Sequence, residues 1–273
     1  MRIRLNVLLS QRQFFCNSSP QLHSGTMASS STTNLSPQEE AKRLAAYSAG
    51  EKYLISGARI GVGSGSTVKY LVDYMRDAFK NGNLMDIKCV PTSSMTKRWL
   101  VDAGLPVTEL GIVSHLDICI DGADEVDDEY TLIKGGGGCL FQEKVVQKSS
   151  SRFIIIADSS KQSKKLGEHY AKVPIDVIPF GHETLLQNLS SKLGGKFSVR
   201  SGSGKMGPVI TDNGCYIVDW EFPKDKLINW PEAHATLKGF TGVVETGLFF
   251  NCVESVIFAY PDGSIKEFGP KIV

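Results

Sequence analysis

One stretch of the chain decides its fold, and it reads LDICIDGADEVDDEYTLIKGGGGCLFQE from residue 116 to residue 143. Every second residue in Leu116–Ile120 is aliphatic, and this alternation predicts a half-buried β-strand. Asp121 and Asp124 fall at or just beyond the C-terminal end of that strand. Because ligands of open α/β sheets bind outside the carboxyl ends of the strands, both carboxylates are predicted to lie at a ligand site.

The second half of this stretch combines a lysine, a glycine run and a glutamate. Lys134 precedes Gly135–Gly138, and residues without a Cβ let successive backbone N–H groups converge on an oxyanion or a sugar hydroxyl. Glu143 falls in the first turn of a predicted helix, residues 141–149, where the helix dipole favours its ionised form. Taken separately, each half is also typical of a mobile loop or of acids that cap a helix. Their combination favours an active site.

A second glycine-rich turn, GVGSGST, spans Gly61–Thr67. It lies between a predicted strand, residues 58–62, and a helix whose apolar residues begin at Val68, so its backbone N–H groups can bind an anion. The hydroxyls of Ser66 and Thr67 suit a small terminal phosphate. A dinucleotide site would have a third glycine where Ser66 stands, and a nucleotide P-loop would have a Gly-Lys-Ser/Thr sequence that this turn lacks. A helix entry capped by Ser or Thr, with no ligand, is the other alternative.

The composition indicates which partners and cofactors to expect, namely no nucleic acid and no membrane. The chain has 273 residues, with 30 Lys and Arg against 29 Asp and Glu and a formal net charge of +1. This balance gives no broad electrostatic reason to bind nucleic acid or a membrane surface. No apolar run approaches the roughly 18 residues of a membrane helix. The six cysteines and five histidines show no metal-ligand spacing, so we expect reduced thiols, no metal and no cofactor.

Residues 1–35 differ in composition from the rest of the chain. They contain no Asp or Glu, and Arg2, Arg4 and Arg12 are spread among Ser, Gln, Asn and Thr. This composition predicts a transit peptide for the chloroplast or, alternatively, the mitochondrion. An uncleaved disordered tail is the other interpretation. A second start at Met27 would yield a form without the arginines, which we would expect in the cytoplasm.

The remaining chain divides into two predicted domains. Residues 36–170 together with 250–273 predict an α/β domain that begins with a helix capped by Ser36. Residues 171–249 predict a small α+β domain. Its predicted elements are strands at 173–178 and 197–200, a helix at 183–193, a hairpin over 208–219 that turns at Asp212-Asn213-Gly214, a helix at 231–238 and a strand at 243–249.

The chain resembles the type A ribose-5-phosphate isomerases, in particular the organellar form of plants. The matching motifs run in the family's order, and they are Gly61–Thr67, Asp121–Glu125, Lys134–Gly137 with Glu143 and Lys144, Ala157–Lys161, Thr211–Gly214 and Gly242–Phe249. They cover essentially the whole chain after the first 35 residues. The resemblance implies a Rossmann-like open parallel sheet domain with an inserted, smaller ferredoxin-like α+β domain.

The resemblance also implies a reaction and the residues that carry it. D-ribose 5-phosphate and D-ribulose 5-phosphate would interconvert through a cis-enediolate, in the non-oxidative pentose phosphate pathway and, in a plastid, the Calvin cycle. Glu143 would be the base and Lys134 would stabilise the enediolate. Asp121 would move protons between O1 and O2 or help to open the furanose ring, and Asp124 would hold hydroxyls. The implied substrate contacts are Ser64, Gly65, Ser66, Thr67, Asp121, Gly122, Ala123, Asp124, Lys134, Gly135, Gly136, Gly137 and Lys161.

We expect a homo-oligomer, either a dimer or a tetramer. Gln142 departs from the arginine that commonly precedes the catalytic glutamate in the family, and Cys215 from a common asparagine. Neither replaces a catalytic group. Two other function classes stay open: a sugar-phosphate sensor would not need Glu143, and a coenzyme A transferase of similar fold would use its glutamate as a nucleophile.

Overall fold

The protein is described by a computed structural model over residues 35–204 and 206–270. Apart from Leu35, the predicted transit peptide lies outside the described residues. The helices are α1 (Pro37–Tyr53), α2 (Ser66–Lys80), α3 (Ser94–Asp102), α4 (Leu140–Lys148), α5 (His182–Leu193) and α6 (Trp230–Lys238). The strands are β1 (Arg59–Val62), β2 (Lys88–Pro91), β3 (Ile118–Asp121), β4 (Glu125–Val126), β5 (Leu132–Ile133), β6 (Phe153–Asp158), β7 (Val173–Val177), β8 (Lys196–Val199), β9 (Tyr216–Glu221), β10 (Val243–Thr246), β11 (Leu248–Phe249), β12 (Ser255–Ala259) and β13 (Ile265–Phe268).

The large sheet has six strands in the order β13-β12-β6-β3-β1-β2. Its strands pair in parallel, except that β13 runs antiparallel to β12 at the edge. Parallel pairing places the carboxyl ends of the neighbouring strands β1, β3 and β6 at one edge of the sheet. The predicted α/β class with an open parallel sheet is therefore confirmed.

The central strands are buried on both faces. Every residue of β3 and β6 is buried, and Cys119 is as inaccessible as Ile120. The half-buried strand predicted from the alternation in Leu116–Ile120 was therefore wrong. The physical reason is that helices cover both sides: α1 and α2 pack on the face that carries Ile120, and α4 packs on the face that carries Cys119.

The first helix begins as predicted. Ser36 Oγ accepts a hydrogen bond from the backbone N–H of Glu39, and Pro37 occupies the first helical position. The buried residues of α1 are mostly alanines, which let this helix pack closely against α2 and β6. This packing brings the start of α1 to the carboxyl edge of the large sheet, where Gln38 and Lys42 line a cavity.

A four-stranded antiparallel sheet, in the order β10-β7-β9-β8, forms the core of the smaller part. With α5 and α6 it follows the chain order βαββαβ of ferredoxin-like folds, as expected. The elements of this unit lie within the predicted segment 171–249. Residues from Leu35 onward pack as one compact unit, and the predicted domain boundaries stay a prediction.

Two details of the smaller part differ from the prediction. Residues 208–211 form only isolated bridges, Ser201 with Pro208 and Ile210 with Tyr216, around the predicted Asp212-Asn213-Gly214 turn. The strand predicted over 243–249 breaks at Gly247 into β10 and β11. The break falls where the chain changes partner strand, because β10 pairs with β7 and β11 pairs with β5. Only glycine fits at this crossing, since a Cβ on Gly247 would lie 2.1 Å from the carbonyl oxygen of Lys134.

A third sheet has three strands in the order β11-β5-β4. Along the chain, β4 follows β3 of the large sheet and β11 follows β10 of the four-stranded sheet. Lys134 directly follows β5, and its backbone N–H donates to the carbonyl of Gly247 at 2.8 Å. Lys144 of α4 donates to the carbonyls of Thr246 and Leu248, on either side of Gly247, so these contacts hold the start of the glycine run close to α4. No helix among residues 35–204 and 206–270 is long and apolar enough to cross a membrane.

Candidate active site

A cavity of about 150 Å³ opens at the carboxyl edge of the large sheet. It lies where β1, β3 and β6 end, next to the N-terminus of α2. Its lining residues are Gln38, Lys42, Ser64, Gly65, Ser66, Thr67, Gly122, Ala123, Asp124, Lys134, Gly135, Gly136, Gly137, Glu143, Asp158 and Lys161. All the sequence-predicted site residues line this cavity except Asp121, which is buried behind its wall, 2.9 Å from Lys134.

Asp121 is the last residue of β3 and is completely buried. Its Oδ1 accepts hydrogen bonds from the backbone N–H of Ser64 at 2.9 Å and of Gly122 at 2.7 Å. Gly63 makes this position possible, because a Cβ there would lie 1.9 Å from the same oxygen. Asp121 therefore ties the turn after β1 to the end of β3, and its second oxygen faces Lys134.

Lys134 lies between two carboxylates. Its Nζ is 2.9 Å from Asp121 Oδ2 and 3.4 Å from Glu143 Oε2. Burial disfavours the charge of Lys134, but the two carboxylates outweigh that effect and hold the pKa of the ammonium above its usual value. The lysine is therefore a permanent cation in the wall of the cavity, only 2% exposed.

Glu143 lies in the first turn of α4 and is 5% exposed. Burial raises the pKa of this carboxyl to about 8; the charge of Lys134 opposes the shift, and the charge of Asp121 adds to it. Glu143 Oε2 is within ion-pair distance of Lys134 but not aligned for a hydrogen bond, and it has no hydrogen-bond partner among the described residues. A carboxylate with a free lone pair and a pKa near neutrality has the properties of a general base.

The glycine run forms a loop against Asp124. The N–H of Gly136 donates to Asp124 Oδ2 at 2.6 Å, and a Cβ on Gly136 would lie 2.4 Å from Oδ1 of the same carboxylate. Gly135 has a φ of +101°, a conformation that glycine adopts without steric cost. The tight turn places Gly135, Gly136 and Gly137 in the cavity wall beside Lys134.

Another part of the cavity wall combines the N-terminus of α2 with two lysines and the carboxylate of Asp158. Gly65 caps α2 with a φ of +104° and no side-chain hydrogen bond, so Ser66 and Thr67 form the first helical turn in the cavity wall. Lys42 from α1 and Lys161 after β6 also line the cavity. A helix N-terminus beside two lysines can bind an anion such as a phosphate.

Ser64 contributes mainly through its backbone. Its hydroxyl is 2.7 Å from the hydroxyl of Thr92, and its N–H donates to Asp121. We infer that Ser64 supports the turn, whereas Ser66 and Thr67 present their hydroxyl groups to a ligand.

Three residues of the cavity wall were not predicted from the sequence: Gln38, Lys42 and Asp158. Gln38 and Lys42 are four residues apart and so lie on one face of α1, but nothing in the sequence indicated which element that face would meet. Asp158 ends β6, as Asp121 ends β3, and its position at a strand end was the available signal.

The two departures from the family lie outside the cavity. Gln142 donates to the side-chain oxygen of Asn213 at 3.3 Å, and Cys215 is buried behind the Asp212-Asn213-Gly214 turn. Gln142 therefore contacts the smaller sheet's turn instead of the cavity. Among residues 35–204 and 206–270 there is no group of three or more His, Cys, Asp or Glu side chains that could hold a metal ion.

Comparisons with known proteins converge on one family. The family model of ribose 5-phosphate isomerase A (phosphoriboisomerase A) matches residues 88–263. A Caenorhabditis elegans protein named probable ribose 5-phosphate isomerase is 53% identical over 85% of this chain and 93% of its own length. A human protein named ribose-5-phosphate isomerase is 43% identical over 86% of this chain and 75% of its own length.

Solved structures agree with these sequence matches. Ribose 5-phosphate isomerase from Plasmodium falciparum has a TM-score of 0.81 and 38% identity, covering 85% of this chain and 99% of that chain. A D-ribose-5-phosphate isomerase in complex with phospho-erythronic acid has a TM-score of 0.80 and 35% identity, with the same coverage of both chains.

Proposed function

We propose that this chain, which belongs to the ribose 5-phosphate isomerase A family, interconverts D-ribose 5-phosphate and D-ribulose 5-phosphate through a cis-enediolate. The observation that carries the proposal is the buried Glu143 carboxylate, 3.4 Å from the Lys134 ammonium, in the wall of a cavity that also contains the N-terminus of α2, Lys42 and Lys161. A base beside a cation is what carbon-acid chemistry needs, because a proton must leave carbon while negative charge develops on oxygen.

Glu143 is the proposed base in the first half-reaction and the proposed acid in the second. In the aldose, its carboxylate takes the proton from C2, the C–H electron pair forms the C1–C2 double bond, and the carbonyl electrons move to O1. A proton then moves from O2 to O1. Protonated Glu143 returns its proton to C1 as the O2 electrons form the ketone, so that no atom is gained or lost overall.

Lys134 and the glycine loop stabilise the enediolate. The ammonium of Lys134 carries full charge because Asp121 lies 2.9 Å away, and it lies in a buried wall where electrostatic interactions are strong. Backbone N–H groups of the loop add donors that do not have to reorganise during the reaction. Asp121 therefore supports catalysis by keeping Lys134 charged and oriented.

The phosphate binds at the N-terminus of α2 in this proposal. The N-terminus of α2, with Ser66 and Thr67, supplies backbone and hydroxyl donors, and Lys42 and Lys161 supply charge. Asp124 and Lys134 also line the cavity and are proposed to contact the sugar from the other end. Phospho-erythronic acid, bound in the related structure, carries a phosphate at one end and a carboxylate at the other, a pattern that fits these two ends.

The decisive experiment is isomerisation of ribose 5-phosphate in D₂O by a protein that begins at residue 36. Proton transfer through Glu143 should place solvent deuterium on C1 of the ketose, as read by NMR, and excess chelator should leave the rate unchanged. A product without deuterium would favour a direct hydride shift. A covalent thioester trapped by hydroxylamine would instead support the coenzyme A transferase alternative.

Localisation and assembly are separate parts of the proposal. The acid-free composition of residues 1–35 supports import into a chloroplast, although the relatives in Caenorhabditis elegans and Homo sapiens lend the plastid role in the Calvin cycle no support. A fluorescent reporter fused to residues 1–35 tests import, and a diffuse cytosolic signal would refute it. Light scattering tests the expected dimer or tetramer, and a monomeric mass would exclude both.

A further inference from the structure

The glycine loop in the cavity wall is held from behind by an arginine of the smaller sheet. Arg200 directly follows β8, and its Nη1 donates to the carbonyl oxygens of both Gly135 and Gly136, each at 2.9 Å. Arg200 does not line the cavity, so it contacts the loop from the side away from the ligand site.

The opposite side of the guanidinium is held by Asp219. Arg200 Nε donates to Asp219 Oδ2 at 2.9 Å, and Nη2 donates to Asp219 Oδ1. The side chains of Arg200 and Asp219 are 15% and 9% exposed, so little water competes for these bonds. A planar guanidinium in a two-pronged ion pair has a defined orientation, so Nη1 can serve as a rigid anchor.

Anchoring a carbonyl also orients an N–H group. In a planar trans peptide, the carbonyl of one residue and the N–H of the next point in opposite directions. Holding the carbonyl of Gly135 therefore directs the N–H of Gly136, which donates to Asp124 Oδ2 at 2.6 Å. Holding the carbonyl of Gly136 directs the N–H of Gly137, which has no hydrogen-bond partner among the described residues and belongs to the cavity wall.

We infer that Arg200 is a positioning residue that holds the glycine loop so that the N–H of Gly137, unpaired among the described residues, points toward the oxyanion of the enediolate, while the N–H of Gly136 stays on Asp124. The inference rests on the proposed function for the identity of the oxyanion. Glycine has more backbone freedom than any other residue, so a loop of four glycines loses its oriented donors unless another group holds it. Arg200 does this through two consecutive carbonyls.

The test compares Arg200→Met with Lys172→Met. Lys172 Nζ contacts the same Asp219 carboxylate at 2.8 Å but makes no contact with the loop, so its removal changes the same charge cluster without freeing the glycines. We expect Arg200→Met to lower kcat by about 10- to 100-fold with KM within about threefold, since the donors act mainly on the transition state. Lys172→Met should keep kcat within about twofold.

Amide hydrogen exchange of residues 135–138 in the ligand-free protein gives a readout that does not depend on turnover. It should accelerate in Arg200→Met and stay unchanged in Lys172→Met. Should Arg200→Met fail to fold, Arg200→Lys keeps the charge but lacks the fork, and we expect the same pattern. Equal kcat values in Arg200→Met and Lys172→Met would overturn the inference. So would amide exchange of residues 135–138 that is no faster in Arg200→Met than in the wild-type protein. An inactive wild-type protein would instead refute the proposed function, while exchange would still decide whether Arg200 holds the loop.

Discussion

Replacing Glu143 by glutamine tests the proposed base most directly. The amide keeps the shape of the side chain but has almost no proton affinity. Lys134 would keep its ion pair with Asp121 at 2.9 Å, so the cation that meets the substrate oxygens stays in place. We therefore expect KM to change by no more than about threefold, because the ground-state contacts survive.

The expected loss in kcat follows from the role of a general base. A positioned base contributes roughly 10²- to 10⁴-fold, which corresponds to about 3 to 5 kcal/mol of activation free energy. The assay is the initial rate of ketose formation from ribose 5-phosphate. Glu254→Gln is the matched control, because Glu254 is an acid paired with Arg152 and lies outside the cavity wall. It should leave kcat unchanged.

The pH dependence gives an independent check on the same residue. A base must be deprotonated to act, and Glu143 loses its proton only as the pH rises through its pKa. Since burial raises that pKa to about 8, kcat/KM should rise with pH toward about 8 and level above it, whereas an exposed glutamate would level near 4.5. Wild-type turnover in Glu143→Gln, or a rising limb that persists in this variant, would refute the assignment.

Three further predictions concern the surroundings of this base. Lys134→Met should lower kcat at least about tenfold. It should also move the rising limb of the pH profile to higher pH, because the cation that lowers the pKa of Glu143 is gone. A change in KM alone would make Lys134 a binding residue only. Thr67→Ala should raise KM about tenfold with little change in kcat, which is the effect of one lost hydrogen bond to a charged group. An equal loss of kcat/KM for ribose 5-phosphate and for unphosphorylated ribose would show that Thr67 does not bind the phosphate. Gly63→Ala should abolish activity and lower the melting temperature, because its Cβ would lie 1.9 Å from Asp121 Oδ1, and a fully active variant with an unchanged melting temperature would contradict this geometry.

The positions of the elements could largely be predicted from the sequence, because they follow from local chemistry. Ser36 and Pro37 mark the start of α1, and the run at 153–157 predicts a buried strand. Two errors came from contacts distant in the chain. Alternation in Leu116–Ile120 does not reveal that helices cover both faces of β3. The strand predicted over 243–249 breaks at Gly247 because the chain passes there from pairing with β7 to pairing with β5.

The sequence by itself determined the chemistry of the site, since Asp121, Lys134, the glycine run and Glu143 all lie in one short stretch. Only the tertiary structure decided how these groups act on one another. It places Asp121 behind Lys134 instead of in the cavity, brings Lys42 from the first helix and anchors the glycine loop on Arg200. Burial and charges only a few ångströms apart set the proton affinities of Lys134 and Glu143, and both depend on segments that meet only when the chain folds.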